Sequence, residues 1–193
     1  EGVDDDGNGY VDDVYGLNTI EQNGNISWNN RRYDSEGNYT GDVGHGTHVA
    51  GVIAAMNNNP EGISSIAGGN GLKDSGVKIM VCQIFSGNRA TDLVSTVRAI
   101  KYAADNGAVV LQCSWGYVSG AVHEYEWGEA GFASEEEWIA ASPIEKEALD
   151  YFTHNAGSPN GVIDGGLAIF ASGILDDEAK VSAKMNIINS LSA

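Results

Sequence analysis

Basic residues are scarce in this chain. There are 10 Lys and Arg against 27 Asp and Glu, a formal net charge of −17 at pH 7. Such a surface repels phosphate, which excludes nucleic acid as a partner and leaves divalent cations as plausible ones. Long apolar runs are also missing. None approaches the roughly 20 residues that a helix needs to cross a bilayer, so no membrane span is expected. Cysteine is limited to Cys82 and Cys113, each inside an apolar strand-like run and not at metal-knuckle spacing. Buried free thiols are expected there, and a bridge would require the two strands to lie side by side. No signal peptide is expected, because Glu1 opens directly on an acidic stretch, as a processed exported chain also could.

What the chain does have is enough apolar material for one sizeable core: 193 residues, 42% of them hydrophobic. The first distinctive stretch is Asp4-Asp5-Asp6-Gly7-Asn8-Gly9-Tyr10-Val11-Asp12-Asp13. Asp4, Asp6 and Asn8 place oxygens at alternate positions, Tyr10 can offer its carbonyl, and Asp12 or Asp13 can close the shell. A hard cation such as calcium takes six to eight such ligands. An EF-hand is not expected, since its closing glutamate would fall at Tyr15. The competing reading is an acidic turn capped by its own side chains. Calcium is favoured because so many carboxylates repel one another without a cation. Residues 18–43 are polar and rich in Asn and Gly and read as surface loop, with glycosylation sequons at Asn25 and Asn38.

Gly44-His45-Gly46-Thr47-His48-Val49-Ala50-Gly51 follows, with two histidines three residues apart. The spacing of Val49, Ile53 and Met56 predicts a helix from about His45, with both histidines on one side. Its small residues predict close packing on a sheet. Asn57 to Pro60 ends it. Val77 to Phe85 reads as a strand, apolar at nearly every position after its start, as in parallel sheets covered on both faces. Thr91 or Asp92 can cap a helix whose stripe is Leu93, Val97, Ile100 and Ala104, stopped by Asn106-Gly107. Ala108 to Gln112 is the next strand. Strand, helix and strand at this spacing form a βαβ unit, so the class is α/β with a parallel sheet. Ligands in such sheets sit at the carboxyl ends of strands, which marks Ser86-Gly87 and Ser114-Trp115-Gly116. Residues 117–142 read as an acidic inserted excursion with a short helix at 134–141. Ser142 as cap, Pro143 and Glu145 begin a helix with Ile144, Ala148, Tyr151 and Phe152 inward. Gly166 to Ala171 is a buried strand, and a capped helix runs from Asp176.

The histidine stretch resembles the signature of the subtilisin-like serine peptidases. Asp4 to Gly16 resembles the calcium-type loop of one bacterial branch, typical of gut Bacteroidetes. Ile79 to Gly116, Asp150-Tyr151-Phe152 and Gly166 to Ala171 resemble later parts of the same branch, so the likeness runs to about residue 173. It implies a three-layer α/β fold with a mostly parallel sheet, present here as a single partial domain over 1–193, with the acidic loop at 1–16 and the excursion at 117–142. It implies His45 as general base, His48 as its structural support, and Ser114, Trp115 and Gly116 facing Ser86 and Gly87 across an extended peptide. It implies a calcium ion held by Asp4, Asp6, Asn8, Tyr10, Asp12 and Asp13, a polypeptide substrate cut at internal bonds, and a secreted or cell-envelope location.

The departures are specific. The family's triad runs Asp, His, Ser, and no aspartate here fits the strand-then-turn context of the first member. No Gly-Thr-Ser-Met-Ala type sequence supplies the nucleophile, and Ile174 stands where the oxyanion asparagine is expected. The family's first strand and nucleophile segment are thus lacking. The polypeptide alone is expected to be inactive. Three readings follow: a piece of a subtilisin-like peptidase, with a partner chain able to supply the missing strand; a non-catalytic peptide-binding relative; and, least favoured, a zinc site on His45 and His48, for which His123 and His154 lie in unrelated contexts.

Overall fold

The computed structural model describes residues 2–26, 36–37, 44–85, 92–116, 132 and 134–171. The chain divides into two compact units, Glu1–Asp92 and Leu93–Ala193. Its elements run β1 (Gly16–Asn18), α1 (His45–Ala54), β2 (Val81–Gln83), α2 (Leu93–Asp105), β3 (Val110–Cys113), α3 (Glu135–Ala141), α4 (Pro143–Asn155) and β4 (Leu167–Phe170). Helices with short parallel strands make the class α/β, as the strand-helix-strand spacing predicted.

In the first unit, β1 pairs in parallel with β2, and Leu17 lies opposite Cys82. This corrects the assignment of residues 18–43 to surface loop from their first residue. Leu17 and Thr19 are fully buried and Asn18 nearly so. Asn18 supplies the polar wiring that lets the chain turn away: its Oδ1 accepts from the amides of Ile20 and Glu21, each at 3.1 Å, and its Nδ2 donates to the Asn25 carbonyl at 3.0 Å. Thr19 ties the strand end down through its amide and hydroxyl, both donating to the Gln83 carbonyl. Gly16 is obligatory at the start. Its φ is +135°, and a Cβ there would stand 1.9 Å from the Val81 carbonyl oxygen. Gly24 serves a similar purpose: it lies against the Asp12 carbonyl and donates its amide to Val11 at 2.9 Å, seating the 18–26 turn on the acidic loop.

In the second unit, β3 and β4 pair in parallel over Val110–Cys113 and Leu167–Phe170. The strands of Cys82 and Cys113 therefore belong to separate two-stranded sheets, not to one βαβ ladder. α4 packs against α2, α3 and β4. α2 ends as predicted: Asn106 and Gly107 fold back so that the amides of Asn106, Gly107 and Ala108 bond the Tyr102, Ala104 and Ala103 carbonyls. α3 occupies the short helix expected at 134–141, with Ser134 Oγ accepting from the Glu137 amide. α4 begins at Pro143 after Ser142, but its buried face differs from the expectation. Ile144 and Tyr151 are exposed, while Glu145, Ala148, Leu149 and Phe152 are buried. The cause is a buried polar pair. Trp138 donates its indole N–H to Glu145 Oε2 at 3.0 Å, and Glu145 is 1% exposed. A carboxylate buried with a hydrogen-bond partner is tolerated, and it turns the helix toward α3. Tyr151 instead reaches across the surface to Asp105 at 2.8 Å, with Lys101 over its ring at 4.9 Å.

β1 is buried on both faces, while β2, β3 and β4 each leave alternate positions exposed. Val77, Ile79, Val81 and Phe85 around β2 are exposed while Ile84 is buried. Val110, Leu167 and Ile169 are exposed while Cys113 is buried. The expected tail helix from Asp176 lies outside the described residues, as does most of the 117–142 excursion. Replacing Gly16 with alanine should destabilise the first unit by about 2 kcal/mol or more, since it combines an unfavourable φ with backbone overlap; urea denaturation followed by circular dichroism measures it.

Candidate active site

α1 carries His45 at its first position and His48 one turn on. Gly44 caps the helix with its carbonyl, which accepts from the His48 amide at 2.9 Å, and no side chain caps it. Both imidazoles are exposed, and neither makes a hydrogen bond or ion pair among the described residues. The place beneath the site expected for His48 is therefore not what the structure shows. The expected close packing of α1 on a sheet is also not observed, since none of its residues is buried. Its small residues admit a returning loop instead: Ile63 Cδ1 lies 3.5 Å from where a Cβ on Gly51 would stand.

That loop completes the helix. The last carbonyls of a helix have no partner within it. Here Val52 O accepts from the Ile66 amide at 3.1 Å and Ile53 O from Ala67 at 2.9 Å. Ala55 O accepts from Ser65 Oγ at 2.6 Å, and Met56 O from Asn59 Nδ2 at 2.8 Å. Asn57 is anchored by donating its amide to Gly69 O at 2.9 Å. The segment 57–69, which begins with the helix stop at Asn57 to Pro60, is thus the C-terminal support of the histidine helix.

In the second unit, Ser114, Trp115 and Gly116 leave the carboxyl end of β3, where ligand-binding residues of parallel sheets lie. Ser114 Oγ accepts from Gln112 Nε2 at 3.2 Å. The Trp115 ring meets Phe170 edge-on, with centroids 5.5 Å apart and planes at 79°. The Ala171 amide donates to Cys113 O at 2.9 Å, which holds the two strand ends together. Phe170 and Gln112 were not singled out by sequence reasoning, because neither sits in a motif and only strand register brings them to Trp115 and Ser114. Ser86 and Gly87 lie outside the described residues.

In the acidic loop the side-chain oxygens serve backbone donors. Asp4 Oδ1 accepts from the amides of Gly7 and Asn8 at 2.8 and 3.1 Å, and Asp4 Oδ2 from Gly9 at 2.9 Å. Asn8 Oδ1 accepts from Tyr10 N at 2.9 Å. Asp12 Oδ2 accepts from Gly2 N at 2.7 Å. Asn8 Nδ2 donates to both Asp6 Oδ2, at 3.1 Å, and Asp13 Oδ2, at 2.8 Å. Asp6 and Asp13 are thereby drawn to one point, occupied by an amide donor. Among the described residues no group of three His, Cys, Asp or Glu side chains converges as a metal site, so no third such ligand joins His45 and His48.

Neither Cys82 nor Cys113 forms a disulfide. Burial pushes the Cys82 thiol up from an ordinary 9.0 to about 12. No helix among the described residues is long and apolar enough to cross a membrane.

Comparison with known proteins decides the lineage. The profile of the subtilase family, Peptidase S8, matches residues 3–192. The chain belongs to the subtilase family. The matched span runs past Gly173, where the residue-level likeness was read as ending. Subtilisin-like protease 1 of Plasmodium vivax is 32% identical over 117 residues, covering 61% of this subtilase chain and 15% of its own length. The cell wall-associated protease of Bacillus subtilis is 36% identical over 75 residues, 39% of this chain and 8% of the relative. The thermophilic serine proteinase of Bacillus sp. strain AK1 is 39% identical over 72 residues, 37% of this chain and 16% of the relative. The chain thus spans a sixth or less of the length of these relatives. No solved structure matches it significantly.

The Cys82 thiol is neutral in the folded subtilase well above the pH at which it ionises when unfolded. Its contribution is complete below about pH 9 and lost as pH rises toward 12. Urea midpoints should therefore fall over that window, and Cys82→Ala should flatten the fall. Iodoacetamide should label Cys82 far more slowly in the native than in the unfolded chain.

Proposed function

We propose that this chain forms the part of a subtilase catalytic domain that carries the general-base histidine and one wall of the peptide groove. The family match over residues 3–192, with His45 opening α1 in the sequence His-Gly-Thr-His-Val-Ala-Gly, carries the reading. The reaction served is hydrolysis of internal peptide bonds in a polypeptide. In it, His45 takes the proton from a serine hydroxyl during attack and returns it to the leaving amine. Ser114, Trp115 and Gly116 offer backbone to an extended substrate, with Ser86 and Gly87 as the opposite edge. No residue of the chain matches the family's nucleophile or aspartate motif, so the polypeptide by itself binds peptides and does not cleave them. Completing the triad would take a partner chain that contributes the nucleophile segment as well as the aspartate-bearing strand.

A fluorophosphonate probe should label no serine of the purified chain, while extended peptides should bind in calorimetry and lose affinity on Trp115→Ala. Covalent labelling overturns the first part, and absence of any peptide binding the second. His45→Ala should leave stability within about 0.5 kcal/mol, as expected of an exposed side chain with no partner among the described residues.

The 4–13 loop supports a calcium reading. Asp4, Asp6, Asn8, Tyr10, Asp12 and Asp13 provide hard oxygen donors only, and Asp6 and Asp13 already converge on the Asn8 amide. A cation displacing that amide would meet two carboxylates, and Asp4 and Asp12 would have to leave the backbone amides they now accept from to complete its shell. A structural ion would brace the 18–26 turn seated on the loop. Calcium at 100 times its dissociation constant should raise stability by about 2.7 kcal/mol, reversed by EDTA and absent in Asp6→Ala; an unchanged melting temperature would argue for a self-capped turn. The family and the cell wall-associated relative support a secreted or cell-envelope location.

A further inference from the structure

The chain contains five Asn-Gly pairs: Asn8-Gly9, Asn23-Gly24, Asn70-Gly71, Asn106-Gly107 and Asn160-Gly161. This dipeptide is chemically labile, because glycine has no Cβ to obstruct its own nitrogen from reaching the asparagine Cγ. The structure separates the five by one property, the state of the glycine N–H. Gly9 donates to Asp4 Oδ2 at 2.9 Å and Gly24 to Val11 O at 2.9 Å. Gly107 donates to Ala104 O at 3.3 Å and Gly161 to Ser158 O at 2.8 Å. Gly71 makes no such bond among the described residues, and both Asn70 and Gly71 are exposed. The Asn70 side chain is already folded forward over the Gly71 peptide, since its Oδ1 accepts from the Leu72 amide at 3.2 Å.

We propose that Asn70-Gly71 is a self-modification site, at which Asn70 is converted without an enzyme to aspartate and isoaspartate while the other four pairs are protected. The Gly71 nitrogen gives its proton to hydroxide and its electron pair attacks Asn70 Cγ. The new C–N bond closes a succinimide, and the Cγ–Nδ2 bond breaks as water protonates the departing nitrogen, which releases ammonia and regenerates hydroxide. Water then adds to either ring carbonyl, and the ring C–N bond breaks to give one of the two acids. At the other pairs a hydrogen bond must break before the nitrogen can react.

The site matters for α1. The Asn70 amide donates to Ser75 Oγ at 3.2 Å, and the adjacent Gly69 carbonyl anchors Asn57 directly after the helix. Isoaspartate inserts a methylene into the main chain directly after this anchoring peptide, within the 70–75 turn that the Ser75 bond closes, and adds a charge. The support of the helix that carries His45 is loosened as a result.

The folded chain is incubated at mildly alkaline pH in ¹⁸O-water, digested under acid and mapped by mass spectrometry. ¹⁸O should enter at residue 70 roughly tenfold faster than at any other pair, the rate equivalent of one retained hydrogen bond. In urea that lead should vanish, because all five glycine amides are then free. Asn70→Gln, whose ring closes much more slowly, should lose the fast phase while keeping the wild-type melting temperature. Any other pair reacting as fast in the folded chain, or a lead at residue 70 that survives urea, overturns the proposal.

Discussion

Parallel strand pairs have apolar side chains on both faces, and covering both is the constraint on which this molecule turns. Each two-stranded sheet satisfies it only in part: β1 is covered on both faces, and the other three strands are not. Leu17 and Ile84 are buried in one unit, Cys113 in the other, with α4 against β4. The alternate positions, from Val77 to Phe85 and from Val110 to Ile169, stay open. The rest follows from that division. The strongest packing is where helices meet, around Phe152, Leu149 and Ile100. Among the described residues, α1 rests on its own returning loop.

Legibility from sequence followed the physical range of the signal. Helices α2 and α4 were readable because a stripe of apolar residues and a local stop signal suffice to define them. Asn106-Gly107 is such a signal, and the chain turns there as expected. The α4 face was misread because Glu145 looked like a surface cap. Its burial depends on Trp138, seven residues earlier on another helix, and no periodicity contains that contact. β1 was missed for a related reason. Three residues ending in asparagine carry no strand pattern, and their burial comes from β2, more than sixty residues away. The motifs behaved differently. The family was legible because the histidine motif is one contiguous stretch, and the family match covers it. What brings Phe170 onto Trp115 is register, which no motif states.

The two ends of α1 illustrate how a helix can be specified without a core. Its start is held by the Gly44 carbonyl without a side-chain cap, and His45 is exposed there. Its end is closed by a dense set of polar contacts from Asn57, Asn59, Ser65, Ile66 and Ala67. The residue types there, small and amide-rich, are those that loops use to satisfy backbone carbonyls, and here they do so for a helix that tertiary burial does not support.

The open apolar strand positions and the charge of −17 bear on one another. Uncovered strands with Val, Ile, Leu and Phe along one face are templates for stacking between molecules. A strongly one-signed surface keeps molecules apart at distances of a Debye length, about 10 Å at 0.1 M salt. The acidic surplus, bland as a statement about partners, therefore acts as colloidal protection for the strands. Its range shrinks as salt is added, so solubility of this polypeptide is tied to ionic strength through surface that has nothing to do with catalysis.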